Sequence, residues 1–200
     1  MKKTVLKKLS VKLLSVLCVI AMASTCLIFG GCGESSSDGN TAVIDIKSYG
    51  TITIELDEDA APITVANFKK LVNEGFYDGL TFHRIIKDFM MQGGDPEGTG
   101  MGGSDETIKG EFSANGVENN LSHTRSAVSM ARSQDYDSAS SQFFIVQKDS
   151  LHLDGQYACF GYVTDGMDVV DNICNNVPTT DSNGTVEAEN QPVINSIKLK

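Results

Sequence analysis

The chain has 200 residues, with 26 acidic against 16 basic side chains and a formal net charge of −10. Five of the lysines precede Gly31 and no acid does, so residues 32–200 carry 11 basic against 26 acidic groups, a net −15. That length gives one domain a real core and leaves little room for a second, and so acidic a body is unsuited to nucleic acid or an anionic membrane surface.

The first segment reads as a targeting signal. Lys2, Lys3, Lys7, Lys8 and Lys12 lead into an uncharged run of 19 residues, Leu13 to Gly31, that ends in "IFGGC" at Cys32. Small residues directly before a cysteine resemble the processing box of bacterial lipoproteins, where the Cys becomes lipid-modified. Residues 1–31 are therefore expected to be a lipoprotein-type signal peptide. An uncleaved membrane anchor and an ordinary secretory signal are the other readings of the same run, which approaches the thickness of a bilayer core. Either anchored form places the domain outside the cytoplasm, because the lysines stay inside. Residues 32–41 then form the anchor cysteine and a polar tether, "GESSSDGNT", too poor in apolar residues to fold.

The domain is expected over residues 42–200. "TAVIDIKS" and "TITIELD" alternate apolar and polar residues around Tyr49-Gly50, as a hairpin with one buried face should. Pro62 opens a helical pattern in which Val65, Phe68 and Val72 share a face and Gly75 marks the end. Short strands are predicted at Phe82–Ile86, Phe89–Gln92, Ala127–Ala131, Gln142–Val146 and Cys159–Val163. A second helix is predicted in "MDVVDNICNN", and a last strand in "PVINSIKLK". Many short strands, two helices and no βαβ rhythm argue for a mainly β, antiparallel barrel or sandwich; the glycine-rich turns favour a closed barrel.

Several chemistries find no pattern to support them. "GGDPEGTGMGG", residues 93–103, lacks the GK[ST] ending of a phosphate loop and opens no helix. His83, His123 and His152 share no ligand spacing, and no CxxC occurs, so neither metal nor cofactor is expected. A Ser-His-Asp hydrolase is possible on inventory, but no G-x-S-x-G elbow appears. Cys159 and Cys174 could form one disulfide, although "YACFGYV" reads more simply as a strand with a small buried hydrophobe. Arg84 stands apart: a permanently charged guanidinium within the apolar stretch "TFHRIIKDFMMQGGD" has no place in a plain core strand.

The segments "APITVANF", "FYDGLTFHRII", "MQGGDPEGTGMGG", "GEFSANG", "SMARSQDYDSASSQFFI" and "LDGQYACFG" together resemble the cyclophilins, a family of peptidyl-prolyl cis–trans isomerases. The resemblance implies eight antiparallel strands closed into a barrel and capped by two helices. It implies that Arg84 is the catalytic cation, with Phe89, Met90, Phe144 and Leu153 forming a pocket for the substrate proline. Gln92, Ala131 and Gln142 would line the peptide groove, and His83 would be structural. Three further groove positions depart from well-known eukaryotic members: His152 stands where many carry Trp, Tyr157 where His is frequent, and Arg132 where Asn is. Loss of the indole at 152 implies weak binding of the family's inhibitor cyclosporin; Arg132 would add a second cation to the groove. The expected function is rotation of X-Pro bonds in exported, proline-containing polypeptides by a lipid-anchored monomer. The rival expectations are a non-catalytic proline-peptide binding module or chaperone, and a structural role at the cell surface.

Overall fold

A computed structural model describes residues 39–200; the expected signal segment, Cys32 and most of the expected tether lie outside the described residues. The strands are β1 (Thr41–Ile46), β2 (Gly50–Leu56), β3 (Thr81–Ile86), β4 (Met90–Asp95), β5 (Ala127–Met130), β6 (Phe143–Val146), β7 (Cys159–Asp165) and β8 (Ile194–Leu199). The helices are α1 (Pro62–Asn73), after β2, and α2 (Met167–Asn176), after β7. All eight strands form one antiparallel sheet in the order β3-β4-β6-β5-β7-β2-β1-β8.

The expected class is right, but the expected closure is not: the sheet is a curled half-barrel. Its outermost strands, β3 and β8, share no continuous ladder and are joined by the isolated bridge Thr81–Val193. Three main-chain bonds tie this seam: Gly79 N–H to Ile194 O (2.8 Å), Ile194 N–H to Leu80 O (2.8 Å) and Phe82 N–H to Pro192 O (3.0 Å). Pro192 has no N–H to return, and β3 shifts register between Thr81 and Phe82, so the ladder cannot run through.

Paired apolar residues in the sequence acquire their meaning from the period of two in a strand. Met91, Phe143, Ile145 and Val128 face the interior, where Phe68 from α1, Tyr77, Phe82 and Phe160 complete the core. The rings of Phe68, Tyr77 and Phe82 each meet Phe143 edge-on, with centroids 5.6–6.0 Å apart. Their chain neighbours Met90, Phe144, Val146 and Ala127 face outward instead. With Leu153 and Cys159 they build a second, smaller apolar cluster on the convex side of β4, β6 and β5. "MMQ" and "QFFIV" thus serve two layers at once, and the outer layer is where a site can form. Cys159 and Cys174 are both buried free thiols.

α1 begins without a cap of its own, since its N-cap is Ala61. Glu111, 2% exposed and 47 residues from Thr64, supplies one. Its carboxylate accepts from Ile63 N–H (3.0 Å), Thr64 N–H (2.7 Å) and the Thr64 hydroxyl (2.7 Å). A negative charge there meets both the unsatisfied N–H groups and the positive end of the helix. Among the described residues no helix is long and apolar enough to cross a membrane.

Candidate active site

The outer cluster is not covered over completely. Phe89, Met90, Phe144, Leu153 and Tyr157 leave a recess of about 320 Å³, bounded on its polar sides by Arg84, Gln92, Ala131 and Arg132. β3 and β4 bring Arg84 and Gln92 into register opposite each other, and β4 and β6 do the same for Gln92 and Phe144. Residues far apart in sequence therefore converge through ladder pairing alone.

Arg84 is held from two directions. Its Nε donates to the main-chain oxygen of Asn183 (2.8 Å) and its Nη1 to Gln92 Oε1 (3.1 Å), with Met90 Sδ 4.0 Å from Nη1. Nη2 has no hydrogen-bond partner among the described residues. Burial lowers the Arg84 pKa, while Tyr157 and Asp181 pull the other way; a guanidinium starting so high stays charged at any physiological pH. The orientation of Gln92 is set by a relay. Gln142 commits its amide NH2 to Gly100 O (3.1 Å) and Gly102 O (2.7 Å), which leaves its Oε1 to accept from Gln92 Nε2 (2.8 Å). Gln92 Oε1 must then face the guanidinium.

Behind the recess floor lies a hydrogen-bonded chain that the sequence did not disclose, buried at Ser129 and His123 and exposed at Asp154. The His123 ring stacks on Phe144, with centroids 6.1 Å apart at 18°. Its Nδ1 is 2.8 Å from Asp154 Oδ1 and its Nε2 3.0 Å from Ser129 Oγ. A carboxylate only accepts, so Nδ1 carries the proton and Ser129 donates to Nε2. The connectivity is that of a Ser-His-Asp triad, but Ser129 and His123 are both 0% exposed. A hydroxyl sealed beneath Phe144 can attack nothing; the chain props the floor.

The family model "Cyclophilin type peptidyl-prolyl cis-trans isomerase/CLD" matches residues 41–199. The chain belongs to the cyclophilins. Peptidyl-prolyl cis-trans isomerase B of Bacillus subtilis is 51% identical over 124 residues, 62% of this chain and 83% of its own length. A peptidyl-prolyl cis-trans isomerase of Acinetobacter baylyi is 38% identical over 185 residues, 87% of this chain and 94% of its own. A cyclophilin type isomerase of Cryptosporidium parvum, whose crystal structure was determined in the presence of the dipeptide Ala-Pro, superposes with a TM-score of 0.70 at 31% identity. That match covers 80% of this chain and 98% of the other. The chain is accordingly a cyclophilin-type peptidyl-prolyl cis–trans isomerase.

The structure of this cyclophilin gathers most of the residues singled out from sequence and separates a few. Arg84, Phe89, Met90, Gln92, Ala131, Arg132, Phe144, Leu153 and Tyr157 all line the recess. Gln142 stands one step back, orienting Gln92. His152 lies on the exposed outer flank, its ring centroid 5.8 Å from that of Phe89. Arg132 is a wall and not an outstretched cation. Its guanidinium lies 4.7–5.1 Å from the ring centroids of Tyr157, Tyr136 and Phe112 and donates to the carbonyls of Gln156, Ser133 and Gln134. Arg132 thus stands at the recess as a second cation, with its guanidinium engaged by these rings and carbonyls.

His83, next to Arg84 in sequence, does not line the recess. It is 5% exposed, and neither ring nitrogen has a hydrogen-bond partner. Burial pushes its pKa down, so it is neutral and remote from any proton transfer. Asn183 is the residue that sequence reasoning missed. "TTDSNGT" is legible as a turn, but nothing in it says that its carbonyl meets Arg84.

Proposed function

We propose that the recess seats the ring of a substrate proline and that Arg84 drives rotation of the preceding peptide bond. The observation that carries this reading is the division of labour on the guanidinium: Asn183 and Gln92 hold Nε and Nη1, Nη2 has no partner among the described residues, and Arg84 lines a recess floored by Phe89, Met90, Phe144 and Leu153. Rotation about a peptide C–N bond costs about 18–20 kcal/mol because conjugation is lost. In the twisted state the imide nitrogen has a localised lone pair and the carbonyl oxygen has changed direction. A fixed N–H donor at either atom binds that state better than the planar ones. Bringing an exchange time of about 10–100 s to a turnover of about 10–1000 per second takes roughly 3–7 kcal/mol. One oriented cation and a gripped ring are adequate to that task.

The pocket half of the reading is tested by titrating an Ala-Pro peptide while following the protein by NMR. Shifts should concentrate at Met90, Phe144 and Leu153, and Phe144→Ala should weaken binding by about 10–100-fold, the worth of one buried aromatic contact. Unchanged affinity in Phe144→Ala, or shifts elsewhere, would place the peptide outside the recess.

The site of action we propose is extracytoplasmic, on polypeptides newly exported, with the domain tethered at the membrane through a lipid on Cys32. The lysine-rich start, the uncharged run Leu13–Gly31 and the small residues before Cys32 support it. Metabolic labelling with a radioactive fatty acid should mark the native protein and not Cys32→Ser. Label persisting in Cys32→Ser, or absent from both, would refute lipid anchoring at that residue.

A further inference from the structure

Arg84 Nε is oriented by a carbonyl that belongs to an exposed turn, and that turn is organised around one carboxylate. Asp181 Oδ1 accepts from the N–H groups of Asn183 (2.9 Å) and Thr185 (3.1 Å), and its Oδ2 accepts from the Thr185 hydroxyl (2.9 Å). Thr180 N–H closes the loop on Thr185 O (2.9 Å), and Gly184 N–H on Asp181 O (3.2 Å). Thr180, Asp181, Ser182, Asn183 and Thr185 are all exposed, so the carboxylate serves no core.

The turn is docked along the free edge of β3 around Arg84. Ile85 N–H donates to Gly184 O (2.8 Å), Val186 N–H donates to His83 O (3.0 Å), and Arg84 pairs with Thr185 as an isolated bridge. Gly184 has φ +83°, and a Cβ there would collide with the Ile85 carbonyl and the Ile86 side chain; only glycine lets the turn lie this close. The arrangement fixes Asn183 O against Arg84 Nε and so sets the direction in which Nη2 points. Asp181 also contributes a nearby negative charge that favours the cation.

We propose that Asp181 is a positioning residue for the isomerisation: by holding the Thr180–Thr185 turn, it aims the Arg84 guanidinium at the recess. The proposal rests on the reading of Arg84 as the catalytic cation. Asp181 does not line the recess, so it acts on turnover and leaves peptide binding to the recess. Removing its carboxylate frees Asn183 N–H and Thr185 N–H and lets the turn drift from β3. Reaction geometry tolerates such drift poorly.

The test uses the full-length chain in detergent, comparing native protein with Arg84→Ala, Asp181→Ala, Asp181→Asn and Gly184→Ala. Two quantities are read by NMR: catalysed cis–trans exchange of an Ala-Pro peptide at saturation, and the affinity for that peptide. Asp181→Ala should slow exchange by about 5–50-fold with affinity kept within about twofold. Asp181→Asn keeps a side-chain carbonyl for both N–H groups and should recover most of the lost rate. Gly184→Ala, which displaces the turn by a different route, should slow exchange as well. The Arg84 Nε–H resonance should lose its protection from solvent exchange in Asp181→Ala and regain it in Asp181→Asn.

Should Asp181→Ala prove unfolded, the Asp181→Asn and Gly184→Ala arms decide. Native exchange in Gly184→Ala, or an equal loss in Asp181→Asn, overturns the proposal. Native exchange in a folded Asp181→Ala overturns it too, while a slow Arg84→Ala leaves the role of Arg84 standing. If Arg84→Ala itself exchanges at the native rate, the reading beneath the proposal falls and the proposal falls with it.

Discussion

Protonating His123 would set a charge against the underside of Phe144, on a ring with no solvent exposure. Burial is the main force lowering its pKa, only partly offset by the bond to Asp154, and burial lowers that of His83 as well. Both folded pKa values therefore lie below the unfolded value of about 6.5. Between the two, the unfolded chain binds protons that the folded protein does not. Stability is fully present above about pH 6.5 and is lost as pH falls toward the folded values, by up to about 1.4 kcal/mol per pH unit per histidine. Urea unfolding at pH 7.5, 6.5 and 5.5 should show a midpoint that declines only below about 6.5, with a shallower decline in His83→Phe. A midpoint constant down to pH 5.5 would mean that neither ring is held neutral. The resemblance implied a structural His83, but no pattern in the sequence disclosed the burial of His123. Arg84 was legible because a charge amid large apolar residues is costly unless it has work to do.

At the scale of the element, the strands and helices were readable from periodicity, and their observed bounds lie within a few residues of expectation. β5, β6 and β7 stand out because apolar residues fill both faces, a pattern that distinguishes a strand with a layer on each side from an ordinary half-exposed one. What periodicity could not show was the support for α1. "APITVANF" has proline in the first turn and no capping side chain; the cap arrives from Glu111, in a long irregular stretch that carries no helical or strand signal. Glu111→Ala removes three bonds to a carboxylate that is 2% exposed and strips the helix N-terminus of its counter-charge. It should cost about 2–4 kcal/mol, lowering the melting temperature by roughly 5–15 °C. A melting temperature within a degree or two of native would show that water caps α1 as well as Glu111 does. The turn that holds Asn183 against Arg84 escaped the sequence for the same reason: its docking partner, β3, is about 100 residues away.

For the molecule as a whole, local patterns indicated an antiparallel barrel, and the ordered series of cyclophilin-like segments indicated which one. The seam between β3 and β8 was not foreseeable, because it depends on how a proline and a register shift meet across about 110 residues. That seam and the docked turn lie on the same strand as Arg84, so the edge of the half-barrel that carries Arg84 is built from main-chain contacts with the C-terminal segment and not from a regular ladder.

The decisive measurement separates binding from turnover at Arg84. An Ala-Pro peptide would be followed by exchange NMR with native protein and with Arg84→Ala, and its affinity measured for each. The expected result is a folded variant that still binds within about threefold of native but exchanges the peptide at least about 100-fold more slowly, since a donor that acts in the twisted state alone lowers turnover and not affinity. Equal exchange rates in the two proteins, or a loss of affinity that accounts for the whole effect, would contradict the assignment of catalysis to this guanidinium.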